Sequence, residues 1–196
     1  MTMNKWLIAA VMAAGMGTGA SAASISYDYT GSATNPGGPA LSCGVGGIFN
    51  ANCSVTYNNA GLGIDGNPDL QPGTVDGIPN GSSETLRFDF GFDRVWDELT
   101  FGLWDGDDDV TLSWASGSTS YGPGGASTVS LGGVVSSFLE VTASGDFWSF
   151  TDGLIGNDQF TVAELKVSSV PLPAGGLLML TALGGVAALR RKRKAA

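Results

Sequence analysis

The densest group of ionisable side chains lies in the stretch WDGDDDV, between two segments in which apolar and polar residues alternate. Carboxylates this close repel one another, and a bound Ca²⁺ would relieve the repulsion, because this ion takes oxygen ligands from flexible loops. The alternative is a solvated hairpin loop, since Asp and Gly are ordinary turn residues. The stretch is therefore predicted to be a solvated turn, with a calcium site as the second choice and calcium as the candidate cofactor. Its candidate ligands are Asp105, Asp107, Asp108 and Asp109.

A second oxygen-rich stretch, DGNPDL, follows the alternating spacing of calcium loops. Asp65, Asn67 and Asp69 stand at every second position, and Asp76 falls at the twelfth. Leu70 replaces the turn glycine and no helical pattern flanks the segment, which excludes an EF-hand. An irregular calcium loop stays open beside an Asx-rich surface loop.

Catalytic chemistry has few candidate residues. The chain contains no His, which removes imidazole bases, Ser-His-Asp systems and imidazole metal sites. A lysine nucleophile depends on Lys166 alone, inside the last predicted strand. Paired carboxylates for glycoside hydrolysis remain, although nothing singles out a pair. The candidate glutamates are Glu84, Glu98, Glu140 and Glu164.

Aromatic side chains are the other candidate ligand contacts, because aromatic rings stack on sugars. Most of them alternate with polar neighbours, which favours packing in the core. Trp148 alternates against Phe147 and is the best candidate for a ligand-facing ring. The aromatic residues considered are Trp96, Trp104, Trp114, Phe147, Trp148 and Phe150.

Charge is unevenly distributed along the chain. All 18 acidic residues lie between residues 23 and 169, where the only basic residues are Arg87, Arg94 and Lys166. The formal charge of this body is therefore −15, against −9 for the whole chain. Such a surface repels phosphate backbones and anionic lipid, so nucleic acid is excluded as a partner.

The N-terminus has the composition of a secretory signal peptide. Lys5 precedes an apolar run from Trp6 to Ala14, and small residues end in Ala20-Ser21-Ala22. The run is too short for the alternative, a membrane helix. Residues 1–22 are thus predicted to be a signal peptide that signal peptidase removes.

The two cysteines, Cys43 and Cys53, both follow this segment. An even cysteine count in an exported chain predicts a disulfide between them. A pair of free thiols in the core is the alternative.

Alternating apolar residues dominate the body and predict strands. Examples are SISYDYT, ETLRFDF, LTFGLW and VTLSW, in which Leu86 with Phe88 and Leu99 with Phe101 share faces. Eight or so short strands with Gly, Asp and Asn between them predict an all-β fold, an antiparallel β-sandwich or jelly roll. A small barrel is the second choice. Between Gly31 and Gly81, only CSVTY is predicted to be a strand.

The last predicted strand, FTVAELKV, changes phase. Phe160 and Val162 lie on one face, and Ala163, Leu165 and Val167 then lie on the other. A β-bulge near Val162, or burial of both faces, would explain the change.

The C-terminus has an uncharged run, Ala174 to Leu189, before five basic residues. As a helix the run would be about 24 Å long, short of the roughly 30 Å hydrocarbon core, so it is a marginal transmembrane helix. A core helix is disfavoured because the basic residues would have to leave the core at once. By the positive-inside rule these residues stay cytoplasmic. They are Arg190, Arg191, Lys192, Arg193 and Lys194.

VPLPAGG, the glycine-interrupted apolar run and the basic cluster together resemble the VPLPA-CTERM sorting signal, a variant of PEP-CTERM signals. The resemblance implies recognition and cleavage by an exosortase-type membrane enzyme. Leu172 stands where the parent motif has Glu, which implies a variant processing enzyme. The recognition motif implied is Val170, Pro171, Leu172, Pro173 and Ala174.

Three parts are therefore predicted: a signal peptide (1–22), a β-sandwich domain (23–169) and a sorting signal (170–196). SETLRFDF, LTFGLWDGDDDVTL and GNDQFTVAELKV loosely resemble other exported proteins with this tail. The expected function is that of a non-catalytic cell-surface or extracellular-matrix protein, tethered to the inner membrane in transit. Calcium, carbohydrate and an exopolysaccharide matrix are the candidate ligands and partners. The alternative is a secreted carbohydrate-active enzyme that uses paired carboxylates.

Overall fold

Alternating residues form strands here because successive side chains of an extended chain point to opposite faces. The computed structural model of the protein describes residues 23–31, 37–46, 48–49, 53–66, 73–78, 82–106, 108–122, 124–143 and 158–170. The regular structure of this part is all β-strand. Its strands are β1 (Ser24–Asp28), β2 (Ala40–Val45), β3 (Ile48–Phe49), β4 (Ser54–Asn58), β5 (Gly61–Asp65), β6 (Val75–Ile78), β7 (Ser82–Gly102), β8 (Val110–Trp114), β9 (Gly117–Tyr121), β10 (Thr128–Ala143) and β11 (Gln159–Ser169).

The predicted signal peptide and the sorting signal beyond Val170 lie outside the described residues. Within the described part, residues 23 to 170 belong to one compact unit. None of its described segments forms a helix long and apolar enough to cross a membrane.

The described strands form an antiparallel sheet with the 21-residue strand β7 at its centre. Strand β10 pairs with β7 along one side, and β8 and β9 continue outward from β10. On the other side, β2 pairs with the first half of β7 and β11 with the second half. Strand β1 pairs with β11, and β4 is joined to β11 through β5. The all-β, antiparallel prediction is thus confirmed.

The pairing of β7 with β10 changes register between the two halves of β7. Gly91 has a φ of 71°, a left-handed conformation that favours glycine. Residues Asp89 and Arg94 pair with Phe138 and Ser136, so five steps along β7 oppose two steps along β10. Residues 90–93 of β7 thus face one residue of β10, Ser137, and form a bulge that we call the Phe92 bulge. Bulges of this kind bend a strand and re-aim its side chains.

The predicted phase change in β11 is confirmed as a β-bulge. Val162 pairs with Phe101, whereas Glu164 already pairs with Thr100, so Ala163 is the extra residue. Residues 160–163, up to and including the bulge, are buried on both faces, whereas Glu164 and Lys166 beyond it are half-buried. The bulge and two-sided burial therefore occur together.

The apolar faces predicted for the strands form the core. Leu86, Phe88, Leu99 and Phe101 are all buried, and Trp96 is the largest fully buried side chain. Burying such side chains stabilises the fold by about 1.5–3 kcal/mol each. Ile25 and Leu103 stand at apolar positions of the predicted alternation, but their side chains are exposed at 40% and 58%. Ile25 lies on β1, which pairs with β11, and Leu103 lies just past the end of β7.

The prediction of loops between Gly31 and Gly81 is wrong, because β2, β3, β5 and β6 lie there as well as β4. Strand β5 has the sequence GLGID, whose glycines gave no strand signal. A Cβ at Gly61 would lie 2.4 Å from the carbonyl oxygen of Val162, and one at Gly63 would lie 1.9 Å from that of Gly73. Glycine is required here because backbones meet closely.

The predicted disulfide is confirmed. Cys43 on β2 is bonded to Cys53, just before β4, with the two Cα atoms 6.1 Å apart. Cys43 is buried in the core and Cys53 packs against it. The bond therefore connects the strand that flanks the first half of β7 to the hairpin of β4 and β5.

Candidate functional site

The acidic stretch joins β7 to β8, and we call residues 103–109 the acidic loop. It is not the predicted hairpin loop, because β10 lies between β7 and β8 in the sheet. Asp108 is buried at 1% exposure. One of its carboxylate oxygens accepts the N–H of Asp105 at 2.6 Å, and the other accepts the N–H of Gln159 at 2.8 Å. Asp108 therefore ties the acidic loop to the start of β11.

A second aspartate, Asp158, makes the reciprocal connection. Its carboxylate accepts the N–H of Asp109 at 3.0 Å, and its backbone carbonyl accepts the N–H of Gly77 at 3.1 Å. Asp158 is 6% exposed, and sequence reasoning did not select it. Asp105 is exposed, and Asp107 lies outside the described residues. The structure thus places Asp108 and Asp109 beside Asp158.

The second predicted calcium stretch begins at Asp65, which is exposed at the end of β5. Asn67 and Asp69 lie outside the described residues. Two buried carboxylates, Asp76 and Glu84, lie on β6 and β7. The N–H of Asp76 donates to Glu84 at 3.1 Å, and the Thr74 hydroxyl donates to Asp76 at 2.5 Å. Among the described residues, no three His, Cys, Asp or Glu side chains form a group that could hold a metal.

The glutamates considered for catalysis mostly contact basic residues. Lys166 lies 2.5 Å from Glu98 and 3.9 Å from Glu164. The hydrogen bond to Glu98 raises the pKa of Lys166, and the charges of both glutamates add to this effect. A nucleophilic lysine needs a lowered pKa, so this geometry disfavours that role. Glu140 lies 2.9 Å from Arg87.

The tryptophans within the described residues contribute to packing. Trp96 is fully buried, and its indole N–H donates to the Ser136 carbonyl at 2.8 Å. Trp104 stacks on Phe101 at 4.7 Å, and Trp114 packs against the core. The core-packing interpretation is confirmed for these three. The residues favoured for ligand contact, Phe147, Trp148 and Phe150, lie outside the described residues.

A cleft that sequence reasoning missed lies beside the Phe92 bulge. It has a volume of about 490 Å³. One wall is formed by Gly37, Gly38 and residues 40–42 of β2, and the other by residues 89–92 and 94 of β7. Phe92 is 55% exposed, and Phe90 packs against Trp96 with ring centroids 5.5 Å apart. In the bulge, the Phe90 ring therefore packs on the core and the Phe92 ring is exposed to solvent.

Arg94 lies between these rings. Its guanidinium carbon is 4.7 Å from the centre of the Phe92 ring and 5.3 Å from that of Phe90. Arg87 and Lys166 form ion pairs, whereas Arg94 has no ion pair with any described carboxylate. Its Nε is buried and has no hydrogen-bond partner within the described part. Arg94 is thus held by ring contacts, and its terminal nitrogens, rather than the enclosed Nε, are the donors on the cleft side.

Asp89 supplies acceptors on the same wall of the cleft. It accepts the N–H of Gly91 at 2.7 Å and pairs with Arg87 at 3.1 Å. The hydrogen bond from Gly91 holds the pKa of Asp89 below its usual range, with a further contribution from Arg87. Asp89 is therefore a carboxylate at neutral pH. The sequence signal that could have identified this site is Gly91, since a glycine inside a strand pattern indicates a bulge.

Of the predicted sorting motif, only Val170 lies within the described residues, and it is 39% exposed. Neither a family model, nor a curated protein, nor a solved structure matches this chain.

Proposed function

We propose that this protein is an exported, non-catalytic protein of the cell surface or extracellular matrix. The observation that carries the proposal is the disulfide between Cys43 and Cys53, since such bonds form and persist in oxidising compartments. It agrees with the signal-peptide composition of residues 1–22. The strongly acidic body, with its ion-paired Lys166, supports a binding or structural role over catalysis.

We further propose that the described strands pack as a β-sandwich. Tyr29 follows β1, and its N–H donates to the carbonyl of Ala163 on β11. This part of β11 pairs with the end of β7 that contains Phe101. The Tyr29 ring nevertheless contacts Phe88, with centroids 5.9 Å apart. A straight strand would separate Phe88 from Phe101 by about 40 Å. The bend of β7 that brings them together supports two facing layers.

The C-terminal segment is proposed to be an exosortase-type sorting signal, with an inner-membrane tether in transit. The motif is Val170 to Ala174, and the predicted stop is the basic run from Arg190 to Lys194. Mass spectrometry of the native surface protein tests this directly. A mature C-terminus near the motif is the expected result, and an intact Ala196 in surface material would refute it.

Calcium remains part of the proposal as a stabilising ligand of the acidic loop. Hard oxygen donors on loops suit this ion, and Asp105 and Asp109 lie beside the buried Asp108. Thermal melting in millimolar Ca²⁺, compared with chelator, tests the idea. We expect a higher melting temperature with Ca²⁺ than with chelator, and no increase with Mg²⁺. An unchanged melting temperature would remove calcium from the proposal.

A hydrolysis screen tests the non-catalytic assignment. The enzyme alternative needs two carboxyl groups across a substrate, and Glu98 with Glu164 is the pair that shares a neighbour, Lys166. We expect no turnover of any polysaccharide. Turnover that disappears in the Glu98→Gln variant would establish the enzyme instead.

A further inference from the structure

We propose that the cleft beside the Phe92 bulge is a binding site for a neutral sugar ring of a polysaccharide. This inference rests on the proposed function, in which carbohydrate is one candidate ligand. It assigns the ligand to Phe92, Arg94 and Asp89 rather than to the aromatic residues near Trp148.

The exposed ring of Phe92 is the first feature that suits a sugar. Phe92 is 55% exposed although it is a large apolar side chain. It is held in place by Phe90, 6.3 Å away, and by the guanidinium of Arg94. A rigid, solvent-facing ring offers its face to the C–H groups of a sugar, and little side-chain entropy is lost on binding.

The cleft also contains a hydrogen-bond donor, Arg94, and an acceptor, Asp89. Sugar hydroxyls both donate and accept hydrogen bonds. Arg94 supplies the N–H donors of its two terminal nitrogens, and Asp89 supplies the carboxylate lone pairs that its bonds to Gly91 and Arg87 leave over. A few polar groups placed around an apolar wall are typical of small-molecule sites. The cleft of about 490 Å³ also falls in the ordinary size range of such sites.

The charge of the cleft and of the surrounding body decides between neutral and acidic sugars. Arg94 and Asp89 carry opposite charges, so the cleft has little net charge of its own. The surrounding body carries a formal charge of −15, counted from 18 acidic residues and Arg87, Arg94 and Lys166. A polyanionic chain would be repelled by this surface. A neutral ring meets no such repulsion, so neutral polysaccharide is the ligand class assigned.

The test is equilibrium binding of the full chain, purified in mild detergent, to oligosaccharides. A panel of neutral oligomers of glucose, galactose, mannose and xylose is compared with an oligogalacturonate. We expect saturable binding of at least one neutral oligomer and weaker binding of the oligogalacturonate. No saturable binding of any neutral oligomer at millimolar concentration, or tighter binding of the oligogalacturonate, would overturn the proposal.

Variants locate the site. Phe92→Ala and Arg94→Gln should each weaken binding by about tenfold, equivalent to about 1.4 kcal/mol. Leu103→Ala removes an equally exposed apolar side chain outside the cleft, and Lys166→Gln removes a charge outside it. Both controls should bind like the wild type. Equal binding by Phe92→Ala, Arg94→Gln and the controls, with unchanged melting curves, would place the ligand elsewhere and overturn the assignment.

These results are separable from the proposed function. The C-terminal mass of the surface protein reports sorting whether or not a sugar binds. Absence of sugar binding by a protein with a processed C-terminus would refute the sugar site in the cleft and leave the sorting signal supported. Sugar binding with an intact Ala196 would support the cleft and refute the sorting.

Discussion

In the acidic loop, buried carboxylates accept backbone N–H groups, whereas in the cleft the guanidinium of Arg94 rests between rings with an unpartnered donor. The Asp108 carboxylate accepts hydrogen bonds from two N–H groups, and the Asp158 carboxylate accepts one from a third. The loop has the denser charge in the sequence, yet much of that charge is used to join segments of the fold. The cleft has one basic residue and a single exposed ring. Charge density along a chain is therefore a poor guide to which groups are available to a ligand.

The largest expected effect comes from Asp108→Ala in the acidic loop. The change removes two hydrogen bonds from backbone N–H groups to a charged carboxylate, those of Asp105 and Gln159, which should lower the free energy of unfolding by about 3 kcal/mol. Urea denaturation measures it. Asp108→Asn keeps one acceptor oxygen and should lose about half as much. A loss below about 0.5 kcal/mol for Asp108→Ala would show that the loop is not held by this carboxylate.

Removing the disulfide tests the other region, because Cys43 lies on β2, the strand that forms one wall of the cleft. The double change Cys43→Ser and Cys53→Ser should lower the free energy of unfolding by about 2–3 kcal/mol. Sugar affinity should fall as well, because the wall at residues 40–42 is loosened. Reduction of the wild-type protein is the matched comparison. Unaltered affinity in the double variant would show that the cleft does not depend on β2.

Leu103 tests whether the acidic loop contains strain. Its φ of 56° lies in the left-handed region, which costs Leu about 1 kcal/mol or more. Leu103→Asn should raise the free energy of unfolding by up to about 1 kcal/mol, because Asn tolerates this conformation. Leu103→Ala is the control, since it keeps the Cβ and should give no gain. Equal stability of the Asn and Ala variants would contradict the explanation.

The smallest effect concerns pH at the cleft. The folded pKa of Asp89 lies below its usual range. Its contribution to stability is thus complete above the usual Asp pKa of about 3.9 and disappears as the pH falls through the lower folded pKa. The stability difference between wild type and Asp89→Asn should shrink across this window in urea titrations. A difference that stays constant from pH 7 to pH 2 would contradict the assignment.

Local patterning predicted the central strands and the core because burial of one face imposes a period of two. Leu86, Phe88 and Leu99 were identified in this way, and so was the bulge in β11. The disulfide followed from cysteine count and compartment. Strand β5 was missed because its glycines are explained only by contacts with distant backbone. Gly61, for example, approaches Val162 too closely for any side chain.

The sequence alone determined which residues are apolar, which carry charge and which stretches can extend. Gly91 indicates an interruption of the first apolar–polar alternation of β7, but the sequence could not determine that Phe92 would then face solvent. That outcome depends on β10 and β2, which pair with β7 from distant parts of the chain. The tertiary structure decided that Asp108 accepts backbone N–H groups and that Arg94 lies between the rings of Phe90 and Phe92. The physical reason is that hydrogen-bond satisfaction in a sheet depends on partners remote in sequence.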